Sequence, residues 1–333
     1  MREVHRDVIA VAGAKTLAWI DGTLYDVAAG WRSFPLDGSA GKARFSGYGE
    51  QFDAVTVSPG DDVVALVAST GTKGLLLAAD GSRIREVNRS FYRASNYRYP
   101  LALCTLPDGR TGVVHCPDEY NRLEVEVVET GEGLTAGADR DPVDFFHSRL
   151  AVSPSGRYLL SAGWVWHPWD SLYVYDLAGA LADPAALDSF GDVFDLRGLV
   201  QAEVAGACFL GDDVVVSTSE EENDPEGPDD LGPNMLVRWS PVTRTFTWRR
   251  QLDATPGDLV AMAGDILALY GHPRLYDAAT GDLVAEWPDL STGNAMSAIV
   301  RDAVTGPARV AVDDANRRFA VTDGERITVV HLG

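Results

Sequence analysis

Short apolar runs rich in β-branched and aromatic residues recur along the chain, and polar residues gather between them around Gly, Asp and Pro. That is the chemistry of antiparallel strands joined by tight turns. The clearest unit is strand, turn, strand, as in Ala54-Val55-Thr56-Val57-Ser58-Pro59-Gly60-Asp61-Asp62-Val63-Val64-Ala65-Leu66. Further copies run over 150–160, 207–216 and 310–321, and a weaker one over 101–114 turns at Pro107-Asp108-Gly109. A second internal match joins the start of the chain to a later stretch. Residues 8–13 correspond to 259–264, Leu17-Ala18-Trp19 to Leu267-Ala268-Leu269, and 24–30 to 275–281.

These repeats put inner strands near residues 8, 53, 100, 149, 204, 258 and 308, about 45 to 56 residues apart, a period typical of propeller blades. The pattern predicts an all-β fold, a single closed seven-bladed β-propeller over residues 1–333 with four-stranded antiparallel blades. Packed radially, such blades share cores that none could bury alone, and the ring hides most sheet edges. The last residues, 326–331, read as a third strand whose fourth is missing. Residues Arg2 to Arg6 are expected to pair there and close the ring.

Where the third strand of a blade ends, the chain has Tyr25-Asp26, Ala79-Asp80, Tyr175-Asp176, Trp239-Ser240 and Tyr276-Asp277. With the N-terminal closure, this resembles the WD40-like repeat family in a degenerate, bacterial-type form, and the resemblance covers nearly the whole chain. The family's Gly-His dipeptide is not repeated: Gly271-His272 stands elsewhere in its blade, and Trp169-Asp170 falls in a loop. The resemblance implies a propeller that works as an interaction platform.

Composition narrows the function classes. Of 333 residues 46% are hydrophobic, and 49 acidic against 28 basic residues give a formal charge of −21. Such a chain repels nucleic-acid phosphates and anionic lipid, so neither nucleic acid nor membrane is expected as a partner. The start, Met1-Arg2-Glu3-Val4-His5-Arg6-Asp7, has no apolar leader core, and no stretch approaches the ~20 apolar residues of a membrane span. A cytoplasmic protein is expected. Cys104, Cys116 and Cys208 are widely spaced and odd in number, which suits buried reduced thiols.

Motifs that enforce catalysis are missing. Gly41-Lys42 is followed by Ala43 without phosphate-loop spacing, and there is neither His-Glu-x-x-His nor Gly-x-Ser-x-Gly. No cofactor or metal is assigned. His115, His147, His167 and His272 map to strand ends on one face of the ring, where imidazoles could act as bases or ligands. They carry the alternative reading, a hydrolase or lyase with a His/carboxylate site at the channel mouth.

Connections on one face, here the upper face, are longer and more aromatic than turns require. One is basic and aromatic inside an acidic protein, Arg89-Ser90-Phe91-Tyr92-Arg93-Ala94-Ser95-Asn96-Tyr97-Arg98-Tyr99. Another, Gly163-Trp164-Val165-Trp166-His167-Pro168-Trp169-Asp170, holds three of the eight tryptophans. A third, over 219–230, is an acidic insertion that reads as a solvated charged loop, and the Ala/Leu-rich 178–187 allows a short helix. Arg, Tyr and Trp dominate binding hot spots. The leading expectation is therefore a non-enzymatic module that docks a protein or peptide on the upper face of blades 3 to 5. Its candidate contacts are Tyr92, Arg93, Tyr97, Arg98, Tyr99, Tyr120, Trp164, Trp166, His167 and Trp169. A third class is a fixed subunit of a larger assembly.

Overall fold

The computed structural model describes residues 1–137, 139–166, 169–191, 193–195, 202–222, 231–301 and 308–333. Seven antiparallel sheets follow one another along the chain, five with four strands and two with three. Each polar stretch between apolar runs supplies its own turn chemistry. In the second blade Ser58 Oγ accepts the N–H groups of Asp62 (3.2 Å) and Val63 (3.0 Å), which fixes the turn between Ala54–Val57 and Val63–Val67. In the third, Asp108 accepts the Arg110 N–H at 3.0 Å, and Gly109 takes the left-handed conformation (φ 85°) that the turn demands.

The core is divided among the seven interfaces between neighbouring blades, each with its own apolar cluster. Between blades 3 and 4, for example, Cys104, Val114 and Val125 meet Leu159, Tyr173 and Tyr175. Close approach sets one residue type here: a Cβ on Gly206 would lie 2.4 Å from the Gly257 carbonyl oxygen, so blades 5 and 6 meet only with glycine at that position.

The ring closes as the repeat predicts. Glu3–Ala10 pairs antiparallel with Arg326–Leu332 and becomes the outer strand of the last blade. The closure takes more chain than Arg2 to Arg6, and this changes the first blade. Residues 8–10 were expected to start its inner strand; they extend the closing strand instead, and Val11 and Gly13 continue with N–H bonds to Glu325 (2.8 Å) and Gly324 (2.7 Å). An open edge at the third strand of the last blade is a row of unpaired backbone groups, and pairing it outweighs the repeat. Leu17–Ile20 then takes the innermost place of a three-stranded first blade, with Trp19 Nε1 donating to the Ala311 carbonyl of the neighbouring inner strand at 3.3 Å. Blade 3 also has three strands, and a short stretch around Gly133 and Leu134 bridges to its edge in place of a fourth.

The insertion in blade 4 forms a helix over Leu177–Ala182, capped by the Asp176 carboxylate, and a 3-10 turn over Pro184–Asp188. The three cysteines are free and buried. No helix among the described residues is long and apolar enough to cross a membrane.

Candidate functional site

The upper face over blades 2 to 4 is built from the inside outwards. Arg89, next after the outer strand Arg83–Asn88, turns inward and is 3% exposed. Its Nε donates to the Gly71 carbonyl (2.7 Å), and its Nη2 to those of Ser69 (3.3 Å), Ala94 (2.5 Å) and Tyr97 (2.9 Å). The guanidinium carbon lies 4.5 Å from the Tyr97 ring centroid and 5.0 Å from that of Tyr99. One buried cation thus folds the connection around itself. Burial holds its pKa below the usual arginine value and raises those of Tyr97 and Tyr99.

On this base sits a ladder of rings. Phe146 stacks on Trp164 at 3.9 Å and on Tyr120 at 4.3 Å, while Tyr97 meets both Phe146 and Trp164 edge-on. The ladder continues to Trp166 on one side and Tyr92 on the other. Backbone pairing sets the short spacing: Phe146 and Trp164 exchange N–H···O bonds of 2.9 and 3.1 Å. A Cβ on Gly163 would fall 2.0 Å from the Phe146 oxygen, so only glycine permits the approach. Tyr120 donates to Asp144 at 2.9 Å, and burial, helped by that carboxylate, pushes its phenol up to about 12.

A third layer crosses from the far side of the ring. The connection between blades 6 and 7 reaches over the channel mouth, where Ile299 bridges to Tyr97, Ala298 accepts the Arg98 N–H (3.2 Å) and Asn96 accepts that of Val300 (2.9 Å). Asp170, fully buried, accepts the Ala298 N–H at 3.1 Å. Arg98 donates to Asp258 (2.5 Å) and to the Ser297 carbonyl (3.2 Å), and Arg149 lies 3.5 Å from Asp170. Burial raises the Asp170 and Glu203 carboxyls, Glu203 to about 7, with the neighbouring Asp170 charge adding to its rise. The inner strands line an open channel cavity of about 540 Å³, with Arg98, Arg149 and Asp258 on its wall beside apolar side chains such as Leu101, Leu150 and Leu259.

The sequence-predicted residues therefore separate by depth. Tyr97, Arg98, Tyr99 and Trp164 are buried and support the face from within. Tyr120 and Trp169 are half-buried, and Arg93 is exposed. Tyr92 and Trp166 are 49% and 44% exposed, and Phe91, not singled out from sequence, is 85% exposed. Arg93, left-handed with φ 56°, lies 5.3 Å over the Trp166 ring and 6.0 Å over that of Tyr92. His167 lies outside the described residues, as does most of the acidic insertion, from Asn223 to Asp230. The tryptophan segment is less of a loop than expected: Tyr158–Val165 and Trp169–Asp176 are strands paired up to Val165 and Trp169. Phe146, in the connection from blade 3 to blade 4, and 297–300, in that from blade 6 to blade 7, complete the face and carry no local signal beyond the Phe145-Phe146 pair.

The three described histidines of the predicted face take separate partners. His115 is 3.2 Å from Glu126, and His272 is 3.2 Å from Glu286. His147 is held between Ser161 Oγ (3.0 Å) and the Asn121 carbonyl (3.1 Å), and burial pushes it down to about 3, so it is neutral at physiological pH. None of the three lines the channel cavity. Metal-ligating side chains converge elsewhere, at His5, Asp7 and His331 in the closing blade.

No protein-family model and no curated protein sequence matches the chain. Its fold is similar to solved propellers. The β-propeller domain of Cps50 (Swd1) from Myceliophteria thermophila superposes with a TM-score of 0.64 at 10% identity, over 99% of this chain and 100% of that one. A chain of the mitotic checkpoint complex gives 0.64 at 10% identity, over 98% and 93%. BamB from Moraxella catarrhalis gives 0.55 at 13% identity, over 99% and 97%. At these identities the likeness is one of fold.

Proposed function

We propose that this propeller is a non-enzymatic docking module that holds a protein or peptide on its upper face, through Phe91, Tyr92, Arg93 and Trp166. The observation that carries the reading is the contrast in exposure within one aromatic cluster: the outer rings are open to solvent while Tyr97, Tyr99, Phe146 and Trp164 beneath them are buried. Exposed aromatic side chains on a rigid base lose little conformational freedom on binding, and Tyr, Trp and Arg are the usual anchors of an interface. Half-buried Trp169 belongs to the same proposed surface. The centre of the surface shifts from blades 3 to 5 towards the blade 2–3 connection and blade 4.

Two further points support the reading. One of the similar propellers is a chain of a multiprotein assembly, the mitotic checkpoint complex. Seven blades and closure by an N-terminal outer strand fit the WD40-like resemblance. A cytoplasmic setting belongs to the same proposal and rests on three buried, unpaired cysteines.

The test is affinity capture from the native host with wild-type protein beside a Tyr92→Ala/Trp166→Ala variant. A specific partner retained by the first and lost by the second, with unchanged thermal unfolding, supports docking here. A partner captured equally by both places the docking surface elsewhere.

A further inference from the structure

The two ends of the chain meet in the last blade, and their register assembles a second cluster of chemistry far from the upper face. Alternate residues of a strand share a face, and so do directly opposed residues of neighbouring strands. Along Glu3–Ala10 that rule puts His5 and Asp7 on one face, and the pairing of His5 with His331 brings a third donor to the same face. Asp7 bridges the two rings, Oδ1 lying 3.0 Å from His5 Nε2 and Oδ2 2.8 Å from His331 Nε2. All three donor atoms fall within 4.8 Å of one another, the one such set among the described residues.

The same face sends Ile9 into the apolar cluster shared with the first blade. Because the sheet of that blade ends at three strands, the outer part of the face has no fourth strand over it. The His5 side chain is 61% exposed, and Asp7 and His331 are 24% and 22% exposed.

We propose that His5, Asp7 and His331 bind a divalent transition-metal ion of the zinc class, which clips the first strand of the ring to the last. Two imidazoles and a carboxylate suit Zn²⁺ and its neighbours, whereas Mg²⁺ and Ca²⁺ take oxygen ligands. Tetrahedral bonds of about 2.0–2.1 Å require donors about 3.3 Å apart. Each imidazole nitrogen already lies near that distance from one of the two Asp7 oxygens, and rotation of the exposed His5 ring and of the carboxylate brings both nitrogens to that spacing about a single oxygen. The cation opposite His331 in register, Arg318, is held away: it is tied to Asp313 by two contacts of 2.8 Å and lies 4.0 Å over the Trp19 ring. Water fills the remaining position of a site open on one side. A formal charge of −21 adds a long-range attraction for divalent cations.

The experiment titrates chelator-treated full-length protein with Zn²⁺ by calorimetry and with Co²⁺ by visible absorption, and follows thermal unfolding. Expected is one ion per chain and, at metal about a hundredfold above its dissociation constant, a Tm rise of about 4 °C. Mg²⁺ should give no such rise. His5→Ala, Asp7→Asn and His331→Ala should each weaken binding at least tenfold and cut the rise to about 2 °C or less at the same metal concentration. If His331→Ala loosens the closing strand and lowers the metal-free Tm, the exposed His5→Ala variant decides. Absence of binding by the wild type, or binding undiminished in His5→Ala, overturns the proposal.

Discussion

Two arginines four residues apart on the upper face each lie over a pair of aromatic rings, and the parts they play are opposite. Arg89 covers Tyr97 and Tyr99, is 3% exposed and hands its protons to four backbone carbonyls. Arg93 covers Trp166 and Tyr92 and is open to solvent. The inner half of the platform is packed away from water, with Arg89 tied to backbone carbonyls and Arg98 to Asp258; the outer half leaves ring faces and a cation without comparable cover. Residue type made both halves look like a binding surface. Depth decides which half can meet a partner, so substitutions should divide into those that cost stability and those that cost binding.

The largest effects are expected in the inner half. Arg89→Ala leaves the carbonyls of Ala94 and Tyr97 unpaired in the interior, and Trp164→Ala opens a void under Phe146. Each should destabilise by about 3–4 kcal/mol in denaturant unfolding. A loss below about 1 kcal/mol for both would show that this half is not the foundation and would erase the contrast.

Asp170→Asn comes next. It removes the charge facing Arg149 and weakens the acceptor for the Ala298 N–H, and should cost about 2–3 kcal/mol. Hydrogen exchange at Ala298 should quicken more than at amides of the blade cores. Equal quickening everywhere would mean that the crossing segment is not pinned by Asp170.

The inner half should also respond to acid. His147, beside Phe146, is depressed to about 3 by burial, below the ~6.5 of an unfolded chain. A base depressed by folding contributes stability that is whole above pH ~6.5 and is lost as pH falls from there towards 3, by up to about 1.4 kcal/mol per pH unit. His147→Gln should flatten that part of the stability profile, although it also loses the bonds to Ser161 and Asn121 at neutral pH. An unchanged acid slope would show that the ring is not held neutral.

The smallest effects on stability belong to the outer half. Tyr92→Ala and Arg93→Ala should stay within about 0.5 kcal/mol of wild type in the same unfolding measurement. In binding the order reverses, and each should weaken a captured partner tenfold or more. A stability loss of 2 kcal/mol at Tyr92 would make it part of the foundation.

Much of the fold is legible because a repeat states the same physical demand many times over. Inner strands expected near 53, 100, 149, 258 and 308 begin at Ala54, Leu101, Leu150, Leu259 and Val310. The first blade is where the reading failed, since its repeat copy competes with an open edge at the far end of the chain, and no local signal ranks the two. The site was half legible. Composition marked the connection from Arg89 to Tyr99 and the tryptophan segment, but burial depends on Phe146 and on residues 297–300 arriving from other connections of the ring. The His5, Asp7 and His331 set was invisible for the same reason, because it exists only in the register of the closing strand pair.

The claim that the outer row meets the partner is tested most directly by hydroxyl-radical footprinting of the captured complex against the free protein. The account predicts that oxidation of Phe91, Tyr92 and Trp166 falls several-fold in the complex, while Val242 and Leu283, exposed apolar side chains elsewhere on the ring, react as before. Unchanged oxidation at Tyr92 and Trp166, with protection at Val242 or Leu283, would contradict it.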